Sequence, residues 1–453
     1  MNQETIVAIA TPQGKSALGI IRLSGLNALK TAARFLQIDP QTLKPRTAIL
    51  TRASLKGEFI DEVIALYFAQ PASPTGEDLI EITSHGSPFI LSSLLKAALE
   101  SGARMATPGE FTRRAFLNGK MDLSQAEAVC DLIRAENQAS HRAALLQVSG
   151  GISKRLNQIK TPLLEMLAHI EACLDHPEEE LPPPPENEFL LSLHQTHQAI
   201  TNFASTYERG KKILSGPRIC IAGLPNSGKS SLLNALLGRE RAIVSEIPGT
   251  TRDTIEESLP LGEITPLLID TAGIREQASD VVEQEGIRRT QEALENSDLT
   301  LIVIDGSRSI SLEEEKTLLS IANAAKKENK PAIFALNKSD LPRRIADDWE
   351  GISVSALLGE GIENLKKTLS ERLSQETLGH EILITHFRHH QALTEAAKEI
   401  LLAENSIRDN VKKWEERAAF HLRQCLYFLG EITGDNAGEE VLNSIFSKFC
   451  VGK

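Results

Sequence analysis

The chain has 453 residues, with 61 acidic against 49 basic side chains and a formal net charge of −12, which allows about three domains with cores of their own and argues against a free-standing nucleic-acid binder with a broad basic face, though not against a local patch or a basic partner. Its five cysteines, Cys130, Cys173, Cys220, Cys425 and Cys450, show no CxxC or metal-finger spacing, as suits a reducing cytoplasm. No stretch approaches the ~20 apolar residues of a membrane span, and Met1-Asn2-Gln3-Glu4 does not begin a secretion signal, so the expectation is a soluble cytoplasmic protein without membrane contact.

In chain order, apolar strand patterns at 6–10, 19–23 and 63–68 alternate with helical stretches such as 88–101, predicting an α+β domain up to about residue 118. From 122 to about 174 the spacing is helical. A proline-rich acidic run, 177–185, follows as a loop or stiff linker, because proline neither donates a backbone hydrogen bond nor continues a helix. A helix is expected over 187–212, strands at 219–222, 267–269, 332–336 and 352–354, and helices again over 387–430.

The run Gly223-Leu224-Pro225-Asn226-Ser227-Gly228-Lys229-Ser230 lies between the apolar strand 219–222 and the helical pattern that opens at Ser231. In that setting it predicts a phosphate-binding loop: backbone N–H groups turned toward phosphates, Lys229 reaching the β and γ oxygens, Ser230 offering its hydroxyl to Mg²⁺. Asp270-Thr271-Ala272-Gly273 ends the next strand, where a carboxylate can hold the water shell of Mg²⁺ and the glycine N–H can approach a γ-phosphate. Asn337-Lys338-Ser339-Asp340 ends another, with a carboxylate able to accept the N1 and N2 hydrogens of guanine, a donor pair that adenine lacks. Ser355-Ala356 can close over the base. Four motifs in this order point to GTP rather than ATP, on a Ras-like P-loop GTPase domain over 213–378, inserted into a helical domain made of 119–212 and 379–453.

The P-loop sequence, Gly249-Thr250-Thr251-Arg252-Asp253, the segments Gly19–Gly25, Thr75-Gly76-Glu77-Asp78 and Pro108–Leu123, and the terminal Cys450-Val451-Gly452-Lys453 together resemble, end to end, the MnmE (TrmE) family of tRNA-modification GTPases. The resemblance implies an amino-terminal folate-binding and dimerisation domain over 1–118, a homodimer, and a flavoprotein partner, MnmG (GidA), carrying FAD in a heterotetramer. It implies a K⁺-dependent GTPase that takes part in placing an aminomethyl or carboxymethylaminomethyl group on C5 of the wobble uridine of certain tRNAs. A tetrahydrofolate derivative, in 5-formyl or methylene form, would supply the carbon. Arg22, Glu81 and Lys120, with Lys453 from the tail, match the family's folate contacts. By residue type alone each is an ordinary surface charge.

Ile274 stands where Ras-like switches carry the glutamine that orients water. Glu283 matches the family's catalytic glutamate, with Glu285 the neighbour to exclude; a solvated glutamate at a helix start is the plainer alternative. The resemblance also implies K⁺ held by Asn226 with Ser245, Ile247 and Thr250 of the segment Ser245-Glu246-Ile247-Pro248-Gly249-Thr250, and Mg²⁺ on Ser230 and Thr251. Ser231 completes the nucleotide set. No arginine is placed by motif to act as a finger in trans, and the plainer reading of Arg252 and Arg275 is salt bridging across the switch loops. Cys450 is either a thiolate nucleophile or an apolar anchor on a flexible tail. His386, His389 and His390 are expected on an exposed polar helix face. The competing function is a regulatory or ribosome-assembly GTPase without modification chemistry. The segment Gln13-Gly14-Lys15-Ser16-Ala17, less glycine-rich than usual in the family, leaves its loop conformation open.

Overall fold

The computed structural model describes the chain outside residues 1–3, 176–184, 239–255, 271–292, 348, 375–380, 410–413 and 453, and outside the side chains of Glu256, Asp270 and Ser374. It divides into two compact units: Met1–Cys130 with Gln147–Thr201 and Gln391–Lys453, and Asp131–Leu146 with Asn202–His390.

The first unit contains strands β1 (Ile6–Ile9), β2 (Ser16–Ser24), β3 (Ala48–Leu55), β4 (Glu58–Phe68), β5 (Leu79–Gly86) and β6 (Arg104–Met105), in the sheet order β3-β4-β5-β2-β1-β6. The pairings are antiparallel except β1 with β6. Alternation sets the faces: β4 buries Asp61, Val63, Ala65 and Tyr67 and turns the residues between them the other way. Helix Pro88–Glu100, entered through a proline at its first turn, lays Leu91, Leu94, Ala97 and Ala98 against Val7, Ile21, Ile80 and Ile82. On the opposite face Leu50 and Ile64, partners in register, stay 67% and 45% exposed. In the helical part of the same unit, Gly151–Asp175 buries Ile152, Leu156, Ile159, Leu163 and Ile170 along one stripe and packs on Trp414–Thr433.

The second unit holds β7 (Arg218–Gly223), β8 (Glu256–Ser258), β9 (Leu267–Asp270), β10 (Leu299–Asp305), β11 (Ala332–Asn337) and β12 (Ile352–Ser353), ordered β8-β9-β7-β10-β11-β12. All pairings are parallel except β8 with β9. Helix Lys229–Leu237 packs Leu232 and Leu236 on one face with Ile219, Ile221 and Leu301, and helix Leu312–Lys327 packs Leu318 on the other with Ile302 and Ile304. Buried on both faces, β10 carries no alternation: all seven residues are inside. This is the Ras-like order, 2-3-1-4-5-6 counted along the unit, and its ligand crevice lies at the carboxyl ends of the strands. Helix Gln138–Val148 belongs to this unit as far as Leu146, with Ala139 in the sheet's core and its N–H donating to the Glu263 carbonyl at 3.1 Å.

Two expectations change. The helix expected over 187–212 is two, Glu186–Ala204 and Tyr207–Ser215; at the break Thr206 Oγ1 donates to the Phe203 carbonyl at 2.7 Å and accepts from Ile384 N–H at 3.0 Å. The three histidines do not form an exposed face. His389 is fully buried, His386 Nε2 lies 2.8 Å from the Asp131 carboxylate, and His390 stacks on Tyr207 at 4.9 Å between centroids. The partners of His386 and His390, Asp131 and Tyr207, come from segments remote in sequence. Among the described residues no group of three His, Cys, Asp or Glu side chains is arranged to hold a metal, and no helix is long and apolar enough to cross a membrane.

Candidate functional site

The phosphate-loop sequence forms a tight turn whose shape its glycines explain. At Gly223 φ is 145°, and a Cβ would stand 2.3 Å from the Val303 carbonyl of β10. At Gly228 φ is 90°, and a Cβ would meet Asn337 Nδ2 at 2.2 Å. Only glycine fits both requirements. Asn226 also takes a positive φ, 61°, which asparagine tolerates better than most side chains. Lys229 folds back, donating from Nζ to the Gly223 and Leu224 carbonyls at 3.1 and 2.9 Å. Ser227 is 1% exposed, and its Oγ has no hydrogen-bond partner among the described residues, an orphaned polar atom of the kind a ligand satisfies. Ser230 and Ser231 are exposed on the first turn of helix Lys229–Leu237, where helices leave N–H groups without internal acceptors.

The second motif is wired into this loop. Asn337, 2% exposed, donates from Nδ2 to the Ser227 carbonyl at 3.0 Å, and its Oδ1 accepts from Ala356 N–H at 3.1 Å. Ser355 Oγ donates to Asp340 Oδ1 at 2.6 Å and accepts from Leu358 N–H at 3.1 Å. Lys338 Nζ donates to the Asn226 carbonyl at 3.2 Å and to Asp305 Oδ2 at 2.5 Å. Residues 223–231, 337–340 and 355–356 therefore come together at the carboxyl edge of the sheet, with the Asp340 carboxylate oriented by a hydroxyl. The Asp270 backbone pairs with Ile221 at the same edge. The predicted site residues Ser245, Glu246, Ile247, Pro248, Gly249, Thr250, Thr251, Arg252, Thr271, Ala272, Gly273, Ile274, Arg275, Glu283 and Glu285 lie outside the described residues.

A second constellation belongs to the first unit. Arg22 of β2 and Glu81 of β5 are register partners, and the guanidinium donates to Glu81 Oε1 from Nε at 2.9 Å and Nη2 at 2.6 Å. The Phe111 ring lies 5.8 Å from Arg22 Cζ, and Arg22 Nη1 donates to the Gly452 carbonyl at 3.3 Å. The flexible tail expected from the sequence is instead docked as far as Gly452: Gly109 N–H donates to the Cys450 carbonyl at 3.4 Å, and Gly452, at φ 97°, is so close to β1 that a Cβ would stand 2.6 Å from the Ile9 carbonyl. The Cys450 side of this tail remains exposed. Lys120 donates to the Pro71 carbonyl at 2.9 Å, and Lys453 lies outside the described residues.

The helix carrying Phe111 is fixed by a buried ion network. Glu110 accepts from Arg104, Arg114 and Thr107 N–H, and Arg114 also reaches Glu77 at 2.8 Å. Burial pushes the Glu110 carboxyl up, but the Arg104 guanidinium, Thr107 N–H and Arg114 outweigh it and hold it at about 2.

Residues 123–450 match the model of the MnmE helical domain, and residues 5–120 the model described as the GTP-binding protein TrmE N-terminus. The chain belongs to the MnmE family. It is 40% identical to the tRNA modification GTPase MnmE of Aquifex aeolicus over 100% of both chains. With its counterpart in Akkermansia muciniphila it shares 42% identity over 100% of this chain and 99% of the relative, and with that of Coxiella burnetii 39% over 99% of each. In this MnmE-family chain, sequence reasoning passed over two residues of the sites, Phe111 and Asp305. Phe111 offered no signal apart from its place in the Pro108–Leu123 resemblance. Asp305 did: an apolar run ending in an aspartate is also the pattern at Asp270. The groove lined by Leu402, Asp409, Glu416, Arg417 and Phe420 contains none of the predicted site residues.

Proposed function

We propose that this member of the family hydrolyses GTP to GDP and phosphate in a K⁺-dependent manner and, with the flavoprotein MnmG (GidA) and its FAD, takes part in adding an aminomethyl or carboxymethylaminomethyl group to C5 of the wobble uridine of certain tRNAs. The observation that carries the nucleotide part is Asn337, whose amide joins the Ser227 carbonyl to Ala356 N–H and so draws the phosphate loop and the base-reading loop together. Asp340, aligned by Ser355, is the acceptor for the guanine edge. Lys229 and Ser227 serve the phosphates, and Ser230 with Thr251 the Mg²⁺ that neutralises their charge. The buried Ser227 hydroxyl, without a partner among the described residues, supports the fit of a phosphate ligand. Glu283 is our candidate for orienting water, and Asn226 with Ser245, Ile247 and Thr250 for holding K⁺.

For the one-carbon step, Arg22 and Glu81 are the candidate contacts of a tetrahydrofolate derivative, with Lys120 and Lys453 in support and Cys450 as candidate nucleophile. The tail's approach to Arg22 favours this reading. The exposed apolar pair Leu50 and Ile64 on the sheet favours a homodimer, and the heterotetramer with MnmG follows from the family resemblance. The domain limits are proposed as 1–118, 119–212, 213–378 and 379–453, and the location as cytoplasmic.

The test is nucleoside analysis of tRNA from cells lacking the protein, paired with its GTPase rate in KCl and NaCl. Loss of the modified wobble uridine, and faster hydrolysis in KCl, are expected. Unchanged wobble uridines would leave the regulatory or ribosome-assembly GTPase as the better reading.

A further inference from the structure

We infer that Asp305 is a positioning residue for the nucleotide: it holds the Lys338 ammonium against the Asn226 carbonyl and thereby locks the base-reading loop to the phosphate loop. The inference rests on reading 223–231 and 337–340 as a guanine-nucleotide site, and it adds a residue to which no motif assigns a role.

Lys338 leaves β11 in the left-handed region, φ 65°, a conformation that costs an ordinary side chain about 1–2 kcal/mol. Something must hold it there. Its Nζ has two acceptors, the Asn226 carbonyl and Asp305 Oδ2. The side chain therefore runs from one loop to the other, and only one of its acceptors is charged. Asp305 is in turn immobilised: Oδ1 accepts from Ser307 N–H at 3.0 Å and Ser307 Oγ at 2.6 Å, leaving Oδ2 for the lysine. The carboxylate is 8% exposed and the lysine 34%, so the pair is shielded enough for its charge to count. The backbone repeats the link, with Gly306 N–H donating to the Asn337 carbonyl at 2.9 Å and Arg344 N–H to the Gly306 carbonyl at 2.9 Å. The end of β10 thus acts as a brace behind the end of β11.

A brace of this kind acts on residence time. Without Asp305 the ammonium keeps a single neutral acceptor, Lys338 loses its fixed course, and the two loops that must close on opposite ends of one nucleotide separate more readily. The chemical step uses neither group, so hydrolysis at saturating GTP should respond less than nucleotide release.

The experiment uses the full-length protein and a fluorescent guanine nucleotide, measuring GDP release by stopped flow for the wild type, Asp305→Ala, Asp305→Asn, Lys338→Ala and the double alanine variant. Asp305→Ala is expected to speed GDP release about 10- to 100-fold, the size of a lost charged hydrogen bond. Asp305→Asn, which keeps an acceptor of the same shape, should recover part of that loss and guards against a folding defect in the alanine variant. The double variant should release GDP no faster than Lys338→Ala, because both changes remove one interaction. For the two Asp305 single variants, the effect on GDP release should exceed the effect on kcat at saturating GTP. Release rates in Asp305→Ala and Asp305→Asn within twofold of the wild type, or fully additive effects in the double variant, would overturn the inference. A wild type that binds ADP as well as GDP would instead overturn the guanine-site reading beneath it.

Discussion

Replacing Gly228 with alanine tests the geometry of the nucleotide site at its tightest point. The backbone there has φ 90°, which an alanine adopts at a cost of about 1–2 kcal/mol. The added Cβ would stand 2.2 Å from Asn337 Nδ2, well inside contact distance. Asn337 has little room to yield, being 2% exposed and hydrogen-bonded at both ends of its amide. Moving it breaks the bond to the Ser227 carbonyl, worth about 1 kcal/mol, and strands a buried donor. The sum, about 3 kcal/mol, corresponds to a GDP affinity roughly 100-fold weaker if it falls on the binding-competent arrangement. Titration with GDP, alongside thermal unfolding of the nucleotide-free protein, separates the two places where that energy can appear. A GDP affinity within threefold of the wild type, with unchanged melting, would refute the argument that glycine is required there by the approach of Asn337.

Two further outcomes follow from the first unit. Gly452→Ala should undock the tail, because the Ile9 carbonyl it would meet at 2.6 Å is backbone and cannot turn aside; the level of modified wobble uridine in a complemented deletion strain should fall about tenfold, given ~1–2 kcal/mol of backbone strain alone, and a normal level would show that docking is not needed. Glu110, held at about 2 in the folded state against 4.5 unperturbed, is a carboxyl with a depressed folded pKa, so its stabilisation is complete above about pH 4.5 and is lost as pH falls toward 2. One pKa unit is ~1.4 kcal/mol, so about 3 kcal/mol is at stake; Glu110→Gln should flatten that part of the acid-unfolding curve, and an unaltered curve would mean the network is not what acid disrupts.

The sequence made some elements legible and hid others for reasons of packing. The strand, turn and helix around Gly223–Ser230 stand where the glycines require them, since each answers a local backbone demand. Strand β10 was overlooked because it is buried on both faces, so it offers neither alternation nor helical period, and Asp305 went with it. His389 was misread because a helix's inward face is defined by what packs on it, and the segments around Asp131 and Tyr207 are more than 180 residues away. The docking of Gly452 on β1 is likewise a long-range fact with no local signature. Conversely, the pairing of Arg22 with Glu81 was half visible: both were singled out as charges for a ligand, while their register across β2 and β5 needed the sheet.

Helix Gln138–Val148 has a practical consequence for anyone wishing to carry the nucleotide-motif sheet into another protein. A piece cut at 213–378, the limits that motif spacing suggests, would leave behind Ala139 and Ala143, which pack into the hydrophobic core beneath that sheet, and would strip the Glu263 carbonyl of the N–H it accepts. The cut surface would be apolar where the parent is sealed, an invitation to self-association. A portable version should keep 131–146 together with the stretch that begins near Asn202, so that the excised piece follows the packing of the unit rather than the spacing of its motifs.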